Sequence, residues 1–524
     1  MQAACPIDAS RLERLLYDYD SVLKDELIRG FTSGFDVGFR GSVLSNTDVT
    51  NMSSCFDYPQ VVSDYLKTEV EEGRMCGPFS SLPFCSFQLN KIGVVEKRTP
   101  GKFRIICDLS SPKGNSINDG IDDSFAKVTY ASLADAIHLI TMCGPHPYMS
   151  KLDIKAAFRL LPIKKDQHHL FCVKWKGMYY YDKFLAMGCR SACRLFEKFS
   201  TALEHIARRK IKHMCHYLDD YFMVNPTNIG GHGDVKHFES VCKYTGTPLE
   251  HTKTVWPTQC LEYTGLELDT RTEEVRLPPD KLYTCKQLVH HLLTHRTCTL
   301  KVLQQALGHL SHACTAIIPG RAFLRRLYYL TVGVAKPYHF VTITKEYHED
   351  LVIWGRFLDD YNGVSLYREA MFIGSGTHHI YSDAAQSLGC GAFFDGHWFS
   401  IPWPSEWWKH QNITLLELTP IVLAVESWCR YLKNSYVILH TDNEALHYCI
   451  NKQTSKEPLV MSLIRRLVIA GLQSNIQIRA EFVPGTSNSL ADALSRLQVQ
   501  RFQQLCPGSD AKPEKVVPLP ASMS

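Results

Sequence analysis

Apolar and polar positions change period several times along the chain, and each change marks an element. Met214-Cys215 and Phe222-Met223-Val224 flank Tyr217-Leu218-Asp219-Asp220, which predicts two short strands joined by a tight turn. Residues 148–154 predict a further strand that carries Asp153 near its end. Residues 92–95 and 103–109, separated by Thr99-Pro100-Gly101-Lys102, form a hairpin by their turn chemistry. A second hairpin is expected from 169–173 and 178–181 around Lys176-Gly177. Leu195, Phe199, Leu203 and Ile206 recur at helical spacing within 190–209, and 232–244, 279–293 and 299–314 also read as helices. Nearer the start, 11–16 suggests a helix and 31–39 a loop.

The last third repeats the strand signal. Residues 379–383, 388–394 and 396–400 read as consecutive strands, followed by a helix over 415–425 with Glu417 in its first turn. A strand over 436–442 ends in Asp442, and 488–496 opens a helix containing Asp492. From 498 to 524 periodicity fades and Pro507, Pro513, Pro518 and Pro520 interrupt the chain, which predicts a disordered tail.

A length of 524 residues with 45% hydrophobic positions implies two to four domains with real cores. The 19 cysteines are odd in number and lack Cys-x-x-Cys pairs, and no secretory signal opens the chain. They read as reduced thiols of a soluble cytoplasmic or nuclear protein that is not secreted. Cys189 and Cys193 have no partner pair, so packing on a helix face is the better reading than a metal site. No apolar run is long enough to span a membrane. The net charge of +4 says little, but between Lys281 and Phe340 the chain carries Lys281, Lys286, Arg296, Lys301, Arg321, Arg325, Arg326 and Lys336 and no acid. Such a surplus is the footprint of a surface that tracks phosphates, against the plainer reading of a solvated face.

Asp219 and Asp220 at a turn tip would crowd two negative charges, and hard oxygen ligands on a rigid hairpin suit Mg²⁺. Alone, an Asp-Asp turn is ordinarily just solvated. With Asp153 on a neighbouring strand, three carboxylates could hold two metals roughly 3.5–4 Å apart, the arrangement for in-line nucleotidyl transfer. Tyr217-Leu218-Asp219-Asp220 resembles the Tyr-x-Asp-Asp box of reverse transcriptases, with 152–158 as the preceding metal-binding motif. The wording of 185–189 and 319–327 is most similar to the polymerase of DIRS-like retrotransposons, the tyrosine-recombinase class.

That resemblance implies an α+β right-hand polymerase followed by an α/β ribonuclease H-like domain. Its parts would be a lead-in over 1–84 of underived role, fingers and palm over 85–270, a thumb over 271–330, a connection over 331–375, the nuclease-like domain over 376–497, and the tail over 498–524. Lys97 and Arg104 resemble the cations that hold the incoming triphosphate; without the resemblance they would be two ordinary surface cations. Phe158, otherwise a core residue, would be the gate that excludes a 2′-hydroxyl. Met187 and Gly188 would floor the nascent base pair, although relatives often carry Gln or Phe at Met187 and Pro at Ala186. Lys253 would approach the leaving pyrophosphate, 261–266 would be the primer grip, and Gln304, Gln305, Gly308 and His309 would lie near the duplex with Arg321, Arg325 and Arg326. His309 suits packing or backbone contact better than metal ligation.

Asp383, Glu417, Asp442 and Asp492, in this order on strand, helix, strand and helix, resemble the acids of the ribonuclease H fold. Singly, each could be a turn or helix-start charge. Converging at one sheet, the four would be costly unless cations neutralise them. Relatives often place a histidine before the last acid, whereas 481–488 has none and Asn488 could substitute. Each active site would take two Mg²⁺, with Mn²⁺ as an alternative. The partners implied are an RNA template, a DNA primer, the RNA-DNA hybrid and deoxynucleoside triphosphates, with no membrane and with the recombinase on a separate chain or region. The rival reading is a domesticated, catalytically silent nucleic-acid-binding protein that keeps this fold.

Overall fold

The apolar runs beside the Asp-Asp pair do become strands. The computed structural model describes residues 5–43, 49–97, 101–360, 364–365, 377–407, 412–433, 435–474 and 476–518. Two units emerge, Met1–Thr264 and Gly265–Ser524.

In the first unit the strands are β1 (Met75–Phe79), β2 (Lys91–Glu96), β3 (Phe103–Asp108), β4 (Tyr148–Asp153), β5 (Cys172–Trp175), β6 (Met178–Asp182), β7 (His213–Tyr217), β8 (Asp220–Asn225), β9 (Val255–Thr258) and β10 (Cys260–Tyr263). Strands β7, β8, β4 and β9 lie in that order in one antiparallel sheet. Behind it, helix Ala192–Ala207 buries Leu195, Phe199, Leu203 and Ile206, as their spacing requires. Helix Asn228–Thr245 is capped by Thr227, whose hydroxyl accepts from the Gly230 amide, and ends at Gly246 in a left-handed turn.

The two expected hairpins form, β2 with β3 and β5 with β6, and β1 adds to β6. The turn residues 98–100 lie outside the described residues. Residues 169–170 close a 3₁₀ turn, Lys165–Leu170, so the second hairpin starts at Cys172. Met75, Ile92, Val94, Val173 and Trp175 share a small core with Val62 and Leu66 of helix Pro59–Glu71. The lead-in is part of the main core. Helices Ala9–Leu15 and Ser21–Ser33 bury Leu12, Leu27 and Phe31 against the same cluster as Phe196 and Phe238. The expected loop therefore begins only at Gly34. All 19 cysteines are unpaired, and Cys189 packs in this core.

A buried ion cluster ties these layers. Arg159, just past β4, donates to Glu69 Oε2 at 2.5 Å, to Asp182 Oδ1 at 2.6 Å and to the Phe184 carbonyl at 3.1 Å, and Arg74 also grips Glu69 at 2.6 Å. Burial works against both carboxylates. At Glu69 the two guanidiniums outweigh it and hold the acid below its usual range, whereas at Asp182 burial prevails and raises it.

The second unit opens with β11 (Leu266–Asp269) and β12 (Glu274–Arg276), then helices Pro279–Thr294 and Leu300–Ala313, with β13 (Thr297–Thr299) pairing β14 (Phe340–Thr342). Helix Lys345–Asp360 follows, and β15 (Val364–Ser365) pairs β12. Most of the expected connection after 360 lies outside the described residues. The last part is a five-stranded sheet of β16 (Thr377–Ala385), β17 (Gly389–Phe394), β18 (His397–Pro402), β19 (Tyr436–Thr441) and β20 (Gln477–Phe482), ordered β18-β17-β16-β19-β20. The first three strands are antiparallel, while β19 and β20 run parallel to β16. Helix Ile413–Leu432 starts two residues before the expected span, so Glu417 sits in its second turn.

The expected disordered tail is corrected over 498–518. Helix Val499–Leu505 buries Phe502 against Trp398, and the following chain lies along edge strand β18. There the Asp510 amide donates to the Gly396 carbonyl at 2.9 Å, and the Trp398 indole donates to the Asp510 carbonyl at 2.7 Å. The prolines signalled only that no regular element continues; an edge strand with open hydrogen-bonding groups supplies the reason for order. Residues 519–524 of the tail lie outside the described residues.

Replacing Arg159 by Met would leave Glu69 and Asp182 facing each other without their shared cation. Urea unfolding is expected to show a loss of about 3–5 kcal/mol, against less than about 1 kcal/mol for Arg40→Met at the exposed Arg40–Asp36 pair.

Candidate active site

Strand register brings the three acids together. Asp153 and Asp220 stand directly opposite across β4 and β8, and the Ile154 amide donates to the Asp219 carbonyl at 3.0 Å. The turn itself is tight: Leu218 has φ +54°, a left-handed conformation that a side-chain-bearing residue adopts only when held. Its carbonyl accepts from Ser200 Oγ at 2.8 Å. Burial and the neighbouring carboxylates raise the Asp219 and Asp220 acids, Asp220 to about 6 although Lys151 opposes the shift. Lys151 Nζ lies 3.8 Å from Asp220 Oδ2, and Lys253 Nζ lies 3.0 and 2.9 Å from the two Asp153 oxygens.

Asp220 Oδ1 is buried without a hydrogen-bond partner. Three convergent carboxylates with an unserved buried oxygen fit a hard divalent cation. The reverse transcriptase family in general works with divalent metal ions.

Lys97 and Arg104 are exposed on the β2–β3 hairpin, and Arg104 Nη1 reaches Met187 Sδ at 3.8 Å. Gly188 has φ +105°, and a Cβ there would stand 2.8 Å from the Cys107 carbonyl oxygen, so only glycine lets this segment lie against β3. Phe158 is half-buried in the 3₁₀ turn Ala157–Leu160, edge-on to Phe196 at 5.8 Å. Lys253 ends the 3₁₀ turn His251–Lys253, and its ammonium is committed to Asp153.

In the second unit Gln304, Gln305 and Gly308 are exposed on helix Leu300–Ala313, with His309 half-buried beside them. Arg321 is half-buried in the 3₁₀ turn Ile318–Phe323, and Arg325 lies over the Tyr329 ring at 5.4 Å. Arg326 turns elsewhere: it donates to the Glu346 carbonyl at 2.8 Å and lies 3.5 Å from buried Asp350. Its charge is thereby spent inside the unit, on an acid that periodicity could not have paired with it.

A second acid cluster forms at the five-stranded sheet. Asp383 lies in β16, Asp442 follows the end of the neighbouring β19, Glu417 is on helix Ile413–Leu432 against β16, and Asp492 is on helix Ser489–Ser495. Gly391 allows that last helix close, since a Cβ there would stand 2.4 Å from Leu494 Cβ. Burial, then Asp442, raises Glu417 to about 7, and Asp383 is raised by burial with Asp442 and Asp492 beside it. Glu417 Oε2 is buried without a partner, again an oxygen that a cation would serve. Asp492 accepts from Arg496 at 2.6 Å and from Arg501 at 3.1 Å. Asn488 is buried and donates to the Ser382 carbonyl at 2.9 Å, so it ties the loop to β16 instead of standing free in place of a histidine.

Sequence reasoning missed Glu197, Glu204 and Lys151. Glu197 and Glu204 stand two helical turns apart at the border of the apolar face of helix Ala192–Ala207, with Ser200 between them, a signal open to inspection.

The raised Asp220 carboxyl has a consequence for stability. Its folded value exceeds the unfolded one near 3.8, so the stability it lends is present below that value and lost as pH rises through about 6. At pH 7 without metal, Asp220→Asn is expected to stabilise the protein by about 1–3 kcal/mol in thermal unfolding. Added Mg²⁺ should raise the wild-type melting temperature more than that of the variant.

Residues 95–268 match the family model described as Reverse transcriptase (RNA-dependent DNA polymerase). No curated protein matches the chain. Among solved structures, the foamy viral protease-reverse transcriptase dRH in complex with double-stranded DNA is similar at TM-score 0.52 and 14% identity, over 90% of this chain and 81% of that chain. The foamy viral protease-reverse transcriptase in complex with double-stranded DNA gives TM-score 0.49 and 15% identity, over 91% and 97% of the two chains. Identity this low speaks to fold alone. Among the described residues no helix is long and apolar enough to cross a membrane. Residues 95–268 therefore carry a reverse transcriptase domain, and the chain's fold is similar to that of a foamy viral protease-reverse transcriptase.

Proposed function

We propose that the chain is an RNA-directed DNA polymerase with an attached ribonuclease H, of the DIRS-like retrotransposon class. The observation that carries the reading is the convergence of Asp153, Asp219 and Asp220 at one strand register, with an unserved oxygen on Asp220. In this reading β7, β8, β4 and β9 are the palm, the β2–β3 hairpin belongs to the fingers, and helices Pro279–Thr294 and Leu300–Ala313 are the thumb.

Asp153, Asp219 and Asp220 would hold two Mg²⁺, which when bound lower the pKa of a primer 3′-hydroxyl and neutralise developing phosphoryl charge. The chain's own groups do the rest. Lys97 and Arg104 present positive charge to a triphosphate from the hairpin, and Lys253, held beside the acid cluster by Asp153, is placed to offer its ammonium to the leaving pyrophosphate. Phe158 and Met187 shape the nucleotide's seat, and Gly188 brings the main chain close to it. Gln304, Gln305 and Gly308 offer an exposed face to a duplex backbone, which suits an enzyme that must accept every base. Asp383, Glu417, Asp442 and Asp492 support the hydrolysis of RNA in the hybrid, because their strand, helix, strand and helix order gathers around the neighbouring interior strands β16 and β19.

Primer extension on poly(rA)/oligo(dT) with Mg²⁺ tests the polymerase. Wild type is expected to extend and Asp219→Asn to lose at least about 1,000-fold, on the order of 4 kcal/mol of barrier. Extension by neither would favour the silent binding protein, and equal extension by both would overturn the site. Glu417→Gln is expected to abolish cleavage of a labelled RNA-DNA hybrid while leaving extension intact. Phe158→Val is expected to raise ribonucleotide incorporation relative to wild type in the same assay.

A further inference from the structure

Helix Ala192–Ala207 turns a polar stripe toward the Asp-Asp hairpin: Glu197, Ser200 and Glu204, three and four residues apart. Ser200 holds the turn, and the two glutamates hold the strand just before it. Ser200 donates to the Leu218 carbonyl at 2.8 Å, and its own carbonyl accepts from the Tyr221 hydroxyl at 3.1 Å. His216, only 6% exposed, stands between the two glutamates. Its Nδ1 is against Glu204 Oε2, and its Nε2 lies 3.2 Å from Glu197 Oε1, close enough for an ion pair though off the line of a hydrogen bond.

The charges around the ring decide its state. Arg208 serves Glu204 at 3.1 Å from the same helix, Tyr221 of β8 stacks on the imidazole at 5.4 Å, and Cys215 of β7 faces the Tyr263 hydroxyl. Apart from His216 itself, no ion-pair partner stands within 4 Å of Glu197 among the described residues. Burial alone would discharge the ring, but the two carboxylates outweigh it and raise the imidazole to about 9. With both nitrogens protonated, one side chain can answer both acids.

The hairpin needs such an anchor. Leu218 sits at φ +54°, and Asp153, Asp219 and Asp220 repel one another just above it. Both effects would let the turn lift away from the helix. We infer that His216 is a positioning residue: clamped between Glu197 and Glu204, it fixes the height of the Asp219-Asp220 turn and so the spacing of the carboxylates that receive the metal ions. The inference rests on the polymerase reading and deepens it.

The test measures Mn²⁺ binding to the full chain by loss of the free-ion electron paramagnetic resonance signal, with no substrate present. The second acid cluster is silenced throughout by Glu417→Gln and Asp442→Asn. His216→Gln is expected to weaken Mn²⁺ binding at least about 10-fold, the scale seen when groups that orient metal ligands are lost. The double variant His216→Gln/Glu197→Gln removes the unanswered charge and is expected to recover the melting temperature, yet bind Mn²⁺ as weakly as the single variant. In primer extension kcat should fall by a similar factor, with KM for the nucleotide within about twofold. Nitrogen-15 spectra of labelled histidine at pH 8 should still show His216 doubly protonated.

Equal Mn²⁺ affinity in wild type and His216→Gln, or full recovery of affinity in the double variant, would overturn the inference alone. A wild type that neither binds Mn²⁺ at Asp153, Asp219 and Asp220 nor extends a primer would overturn the polymerase reading, and the inference with it.

Discussion

Repulsion among three carboxylates is the constraint around which the first unit is built. Asp153 and Asp220 face one another across paired strands, and Asp219 is pinned beside them by a main-chain hydrogen bond. Folding without a divalent ion must bury these charges and hold them against their mutual field, and the raised Asp219 and Asp220 acids register both costs, burial first. Lys151 and Lys253 offset part of it from the sheet and from the turn after β8's helix. The same stress recurs at the second cluster, where Glu417 is raised to about 7.

Several layers keep the acids in place. The sheet supplies register, helix Ala192–Ala207 supplies the glutamates and the serine beneath the turn, and the Arg159 cluster ties helix Pro59–Glu71 to β6. Each of these ties is polar and buried, so each is costly to break on one side and sets geometry more than it adds net stability. In the second unit the Arg326–Asp350 contact plays a comparable part, joined by Arg465, 3.7 Å from the same acid.

Hydrophobic period and turn chemistry were enough to place the strands around Asp153 and Asp219-Asp220, the β2–β3 hairpin, and the helix whose face is Leu195, Phe199, Leu203 and Ile206. These are local signals, and local sequence carries them because a strand or helix face needs a fixed spacing of apolar side chains. The tail was misread for the complementary reason: four prolines predict no helix or strand, but whether such a segment is ordered depends on a distant edge strand that offers it partners. Arg326 is a similar case. Its place in an acid-free stretch suggested phosphate binding, yet the acid that takes its charge comes twenty-four residues later.

By itself the sequence determined the kinds of groups and their order: three acids on or beside two strands, four more on a strand, a helix, a strand and a helix, and the cations of the β2–β3 hairpin and of residues 281–336. Only the tertiary structure decided which of these charges meet. It set Asp153 opposite Asp220, closed Lys253 onto Asp153, placed His216 between two glutamates, and withdrew Arg326 and Asn488 into structural contacts. Apolar period is a property of neighbours in the chain, whereas electrostatic partnership falls off over a few ångströms of space and is indifferent to separation in sequence.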